Sequence, residues 1–405
     1  MNKNIDAIYA LSQTQQGILF HTQMSPEEGV YVQQFKGTLH GPLEINLFKQ
    51  TWQEALARHP ILRTVFISEG LDEPLQVVGK HLVLPINIIQ VSRENIKQQI
   101  SDFMYEDQKR GFAMNSGPLM RLTLFTESSE VHHFVWTFHH ILLDGWSTAA
   151  LIGEIILSYE AKVTSTPIKL PLRRPFEDYI KWLKNKGMEG CESYWKTYLK
   201  GFASPLTLAG NRAQKKQRTA THQRRVLNIE KQTKNSCINF CRRQRITVNT
   251  LIQAAWALVI NQYTRQQDIV FGVVCAGRPS ELTGVEQMLG LFITTLPLRI
   301  QIDTQASVAE FLHTLQRNQV EMREYEHTPL VDIQRWSELE SNTGLFESIV
   351  AFENYPEEFS DTKVQPSVAL SDIVTTEQTS YPINLLVVDS GTNLALKLAY
   401  DPHRY

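Results

Sequence analysis

Apolar residues recur at helical spacing over 13–22 and 44–59, while 74–90 and 119–126 read as strands rich in Leu, Val and Ile. Residues 131–138 (VHHFVWTF) combine β-branched and aromatic side chains with partial alternation. Residues 147–163 (STAALIGEIILSYEAKV) return to helical spacing behind Ser147, a residue type suited to an N-cap. A strand therefore feeds a loop, His139 to Trp146, which feeds a helix. The second half predicts a helix over 231–264, a strand at 268–274 (DIVFGVV), a loop at 276–288 and a strand at 291–300 (LFITTLPLRI). Helices follow Ala306, strands return at 347–353 and 382–400, and the sequence then reads as stopping short of a final element. No repeat of 20 to 50 residues and no low-complexity tract interrupts this mixed α/β order.

Composition shifts over 200–225, where positions 211–225 (NRAQKKQRTATHQRR) hold six basic residues and no acid. A solvated inter-lobe linker or edge strand is the plain reading of such a run, and a docking patch for an acidic partner is the other. With 405 residues and about 150 residues per domain, the expected organisation is two lobes. These are residues 1–175 and 226–405, joined by a connecting segment at 176–225.

Forty basic against 42 acidic residues give a formal charge of −2, which removes the electrostatic case for a nucleic-acid or anionic-membrane partner. An apolar content of 42% with 20% charged residues is that of a globular chain. No apolar run approaches membrane-spanning length, and MNKNIDAIYALSQ lacks the apolar core of a signal peptide, so a cytoplasmic location is expected. The four cysteines are too few and too irregular for a disulfide framework. Cys237 and Cys241, four apart on an expected helix, could seat half a metal site; with no second pair nearby, helix packing is the simpler role. Signatures for phosphate-binding loops, dinucleotide binding, serine hydrolases and zinc proteases are absent.

The conspicuous polar cluster is His132, His133, His139 and His140, followed by Asp144 and Gly145. A shared metal site is not expected, because six strand residues place His133 and His139 roughly 20 Å apart whereas zinc ligands lie about 2 Å from the ion. Adjacent His139 and His140 point to opposite faces if the strand persists, so one can face reactants while the other braces the interior.

FHHILLDGWS (138–147) resembles the HHxxxDG motif of condensation domains of nonribosomal peptide synthetases, members of the chloramphenicol acetyltransferase-like superfamily. LSQTQQGILFH (11–21), RHPILRT (58–64), FEDYIKW (176–182), GRPSELTGVEQMLGLFITTLPLR (277–299), REYEHTPLVDIQ (323–334), LFESIVAFENYP (345–356) and SYPINL (380–385) follow in the family's order. The likeness covers essentially the whole chain. It implies an α/β, V-shaped pseudo-dimer of two acetyltransferase-like lobes with a channel between them. It also implies peptide-bond formation between an upstream carrier-bound aminoacyl or peptidyl thioester and the amine of a downstream aminoacyl carrier. The partners implied are donor and acceptor peptidyl carrier proteins, whose 4′-phosphopantetheine arms supply the thioesters, with no cofactor intrinsic to this chain.

On the same resemblance His140 is the proton acceptor and amine-positioning residue, His139 its support, and Arg63 a prop of the fold. Asp144 is open to two readings: a triad member orienting His140, or half of a buried ion pair with Arg278, the reading preferred here. Gly145 would allow positive φ or close backbone approach to the reacting carbonyl, or would merely form a tight turn. Trp146 would pack beneath the loop, the favoured reading, or line the channel. LSQTQQGILFH is closest to the subtype taking a D-configured donor, and the start at Met1 resembles the N-terminus of a synthetase polypeptide that docks a preceding one. Two departures stand out: Thr294 replaces the family's usual Asn, and the family's C-terminal helix is missing after LKLAYDPHRY. An epimerization domain and a catalytically silent recruitment module share the motif; RHPILRT argues against the first and the intact His139, His140 and Asp144 against the second.

Overall fold

The computed structural model describes residues 4–25, 29–202, 208, 223–340, 343–353, 367–376, 381–391 and 393–405. In chain order the elements are β1 (Ile5–Ala10), α1 (Gln13–Met24), β2 (Val32–His40), α2 (Ile45–Arg58), β3 (Thr64–Ile67), β4 (Leu75–Gly79), β5 (Ile86–Gln90) and α3 (Ile96–Arg110). Then come β6 (Met120–Thr126), β7 (Val131–His139), α4 (Gly145–Val163), α5 (Phe176–Lys186), α6 (Cys191–Leu199), β8 (Gln223–Ile229), α7 (Lys231–Gln244) and α8 (Val248–Thr264). The chain continues through β9 (Asp268–Cys275), β10 (Thr294–Gln301), α9 (Val308–Arg323), α10 (Leu330–Trp336), β11 (Ser348–Glu353), β12 (Ala369–Thr376), β13 (Ile383–Asp389) and β14 (Leu394–Tyr400). The basic run at 211–222 lies outside the described residues.

Two compact units result, and neither is contiguous. The first holds residues 1–185, 278–292 and 358–378; the second holds 186–277, 293–357 and 379–405. The expected division into 1–175, 176–225 and 226–405 missed this interweaving. Its physical causes are the pairing of β12 with β2 and the hydrogen bonds that bind the 278–292 loop to the start of α4. A single strand or loop returning from far along the chain leaves no period in the sequence.

In the first unit, five strands pair in the order β12-β2-β7-β6-β5 and three more in the order β1-β4-β3. The expected strand over 74–90 is therefore two strands, β4 and β5, in different sheets. The break precedes Pro85, which has no N–H to donate to a ladder. β7 is central, antiparallel to β2 and β6, and buried along its length from Phe134 to His139. Trp52 of α2 meets Trp136 of β7 with ring centroids 5.2 Å apart, both fully buried. Burial of this kind contributes about 1.5–3 kcal/mol per large side chain, and it anchors the strand whose end carries the two histidines.

In the second unit six strands pair in the order β10-β9-β11-β13-β14-β8 over a core that includes Trp195, Phe271, Leu296, Leu298 and Val387. The helix expected over 231–264 is interrupted. Arg245 adopts φ 55°, ending α7, and the Thr247 side chain accepts from Thr250 N to start α8. The strand expected over 382–400 is the hairpin of β13 and β14, turning where Gly391 has φ 71° and Ser390 N donates to Asn393 O. Cys237 lies half-buried on α7 and Cys241 is buried there, its thiol pKa pushed up by burial. Among the described residues no group of three or more His, Cys, Asp or Glu side chains is placed to hold a metal ion, and no helix is long and apolar enough to cross a membrane.

Candidate active site

β7 delivers His139 and His140 at its end, and the two rings carry their protons on different nitrogens. His139 is fully buried. Its Nδ1 lies 3.3 Å from Ile141 N, a group that only donates, so Nδ1 accepts and the proton resides on Nε2. Nε2–H then donates to Thr22 Oγ1 at 3.1 Å, while the Thr22 hydroxyl donates to Ile18 O at 2.8 Å. Burial, and secondarily the neighbouring His140, lower the His139 pKa to about 3, so this imidazole is neutral. His140 is half-buried and carries its proton on Nδ1, which lies 2.8 Å from the Leu143 carbonyl. In its neutral form the basic nitrogen is therefore Nε2. His140 N donates to Tyr31 O at 2.8 Å, and Tyr31 holds φ 65°.

Asp144 is 1% exposed and lies at the N-cap of α4, with Oδ1 accepting from Ser147 N at 2.7 Å. Arg278 Nη2 reaches both carboxylate oxygens at 3.3 Å, and Phe292 N donates to Oδ2 at 3.1 Å. Arg278 also donates to Ser147 Oγ and to the carbonyls of Val285 and Met288, with its guanidinium 4.1 Å from the Phe292 ring centroid. A triad carboxylate would need to accept from His140 Nδ1–H. That proton points to the Leu143 carbonyl, and the Asp144 carboxylate is turned toward the 278–292 loop.

Gly145 does not take the positive φ allowed for it by the sequence. The Asp144 cap makes it the first residue of α4, in helical conformation. Trp146 Nε1 donates to Glu286 O at 2.9 Å. Arg63, buried in the first unit, donates to the carbonyls of Gly79 and Lys80 and pairs with Asp6. Thr294, in the second unit, begins β10 opposite Cys275, and its Oγ1 is buried with no hydrogen-bond partner among the described residues.

Sequence reading missed the residues that hold the two histidines. Gln15 and Thr22 lie seven apart on α1, on one helical face with buried Ile18 and Leu19. Gln15 Nε2 donates to Ile141 O at 3.2 Å and Thr22 binds His139. The i, i+7 spacing of two polar residues within an otherwise buried stripe was the available signal. A cavity of about 360 Å³ opens on the His139 side, with Thr22, Phe66, Phe112, Met114 and His139 among its lining residues. Its walls belong entirely to the first unit.

The family model of the Condensation domain matches residues 5–405, and the chain belongs to this family, whose members form amide bonds in nonribosomal peptide synthesis. It is 41% identical over 407 residues to one polypeptide of the linear gramicidin synthase of Brevibacillus parabrevis, covering 99% of this chain and 8% of that protein. It is 40% identical over 412 residues to a second polypeptide of the same synthase, covering 100% of this chain and 5% of that protein. The chain thus spans less than a tenth of the length of these relatives. The fold matches the condensation domain of the monacolin K polyketide synthase MokA with TM-score 0.81 at 17% identity, over 100% of this chain and 94% of that one. It matches the first condensation domain of the calcium-dependent antibiotic synthetase, solved in complex with a substrate analogue, with TM-score 0.80 at 16% identity, over 99% and 92%. The α/β, acetyltransferase-like fold expected from the sequence is the one found.

Proposed function

We propose that this chain joins the acyl group of an upstream carrier-bound thioester, D-configured at its reacting residue, to the amine of a downstream carrier-bound aminoacyl thioester. The carrier proteins and their phosphopantetheine arms are substrates and partners, and the chain contributes no cofactor of its own. It acts in the cytoplasm, where such carriers are loaded. The observation that carries this reading is the His140 ring: Nδ1–H is committed to the Leu143 carbonyl, which fixes Nε2 as the nitrogen able to accept a proton.

Magnitudes assign the work. An α-amine with pKa about 7.7–8.0 is already roughly a quarter to two-fifths neutral at pH 7.5, so ground-state deprotonation costs under about 1 kcal/mol. Orientation of two tethered reactants supplies about 7–11 kcal/mol. His140 therefore positions the amine through Nε2 and takes the proton that nitrogen loses as the C–N bond forms and the thiolate departs. Asp144 and Arg278 act as a buried ion pair that fixes the loop, His139 braces it, and Arg63 and Trp146 support the surrounding fold. Gly145 contributes the first turn of α4 beside the motif.

The test is dipeptide formation from two loaded carriers, run with matched L- and D-donors. Turnover faster with the D-donor, lowered about 10²-fold or more in His140→Ala, is the expected result. Unchanged turnover in His140→Ala would remove the reading. Racemisation of a donor carrier incubated alone would assign the chain to epimerization instead.

A further inference from the structure

We propose that Thr22, on α1, is a positioning residue for His140, acting through the tautomer of His139. This inference rests on the assignment of His140 as the catalytic residue. The coupling runs through one peptide group. Ile141 N–H, immediately after His140, donates to His139 Nδ1 at 3.3 Å, and Ile141 C=O accepts from Gln15 Nε2 at 3.2 Å. Both sides of this residue are thus held by α1, directly by Gln15 and indirectly by Thr22 through His139.

His139 Nδ1 can accept only while the proton stays on Nε2, and Thr22 Oγ1 is the acceptor that keeps it there. The Thr22 hydroxyl cannot rotate to present its proton to His139 without giving up Ile18 O, so its polarity is set by the helix backbone. Replacing Thr22 by valine leaves a buried Nε2–H without an acceptor. The ring then keeps only one of the two hydrogen bonds that favour the Nε2–H tautomer, so a share of the rings carries the proton on Nδ1. Nδ1–H facing Ile141 N–H at 3.3 Å sets two donors against each other. The Ile141 amide turns away, and with it the backbone that aims the His140 ring at Leu143 O. No other residue need move, and the buried packing of Ile18 and Leu19 is untouched.

The experiment uses the full chain with ¹⁵N-labelled histidine, whose imidazole shifts report which nitrogen is protonated, together with the two-carrier assay. His140 and His139 resonances are assigned by difference against His140→Ala and His139→Gln. The wild type is expected to show Nδ1–H at His140 and Nε2–H at His139. Thr22→Val is expected to lose the single His140 tautomer and at least tenfold in kcat, with KM for both carriers within about twofold, whereas Thr22→Ser restores both. Opposite tautomers in the wild type would overturn the inference without any variant needing to fold. So would Thr22→Val with a native His140 signal and native kcat, or Thr22→Ser failing to restore either. An inert His140→Ala substitution would instead remove the underlying catalytic assignment while leaving the tautomer measurement standing, so the two failures are distinguishable.

Discussion

Arg278 Nη2 stands 3.3 Å from each oxygen of Asp144, across 134 positions of sequence, with the two side chains 6% and 1% exposed. The pair closes the 278–292 loop over the N-terminus of α4, where Asp144 is also the cap. Burial lowers the Arg278 pKa, and Asp144 opposes that shift. A charge in such a setting depends on its partner, because neither ion has water to fall back on.

Asp144→Asn therefore leaves Arg278 buried and uncompensated, a loss of about 3–5 kcal/mol. Thermal and urea unfolding should both register it, with the remaining folded protein retaining turnover. A variant of native stability and abolished turnover would return Asp144 to the triad reading.

Gly290→Ala tests the same loop from its other side. A Cβ there would stand 2.1 Å from Phe176 Cδ2, and the Gly290 backbone is pinned, its N–H to Ser147 Oγ and its carbonyl by Asp144 N and Ser147 Oγ. Phe176 is fully buried against Tyr179 and Phe292, so its ring shifts only by displacing them. Overpacking by one methyl costs about 1–3 kcal/mol where neighbours adjust, and here the backbone is fixed as well. A melting temperature unchanged within a degree would show that the loop moves freely.

The contrast between what was and was not readable follows from how each feature is encoded. His139, His140 and Asp144 stand within six positions of one another, and the strand-loop-helix that carries them has its own periodicity, so they were visible from the chain alone. Arg278 was nameable as the partner of Asp144 only through the family resemblance, since nothing local links 144 to 278. Thr22, Gln15, Tyr31 and the Leu143 carbonyl act through single hydrogen bonds, two of them from backbone atoms that no residue type announces. The break at Arg245 was missed because a non-glycine residue in a left-handed conformation has no sequence mark.

Thr294→Val should raise stability. Among the described residues the Oγ1 of Thr294 is buried without a partner, and an unmade hydrogen bond of this kind costs about 1–3 kcal/mol. Valine keeps the β-branched shape at the start of β10 and removes the unmet group. A rise of about 1 kcal/mol in urea unfolding is expected; a fall would mean that the hydroxyl has a partner.

His139 makes the fold sensitive to acid with a definite sign. Its folded-state pKa of about 3 lies below the ordinary value near 6.5, so between those limits the unfolded chain binds the extra proton. The stabilisation is complete above pH 6.5 and is lost as pH falls through that window, at up to about 1.4 kcal/mol per pH unit. His132, whose pKa burial also lowers, adds a slope of the same sign, so the contribution of His139 must be isolated by difference. Urea unfolding of the wild type and of His139→Gln at pH 7.5, 6.0 and 5.0 does so, because glutamine has no proton to gain. The stability advantage of the wild type should shrink by about 2 kcal/mol between pH 7.5 and 5.0. An advantage that stays constant over that range would mean that the His139 ring is protonated as readily in the folded chain as in the unfolded one, and the neutral brace beneath His140 would have to be abandoned.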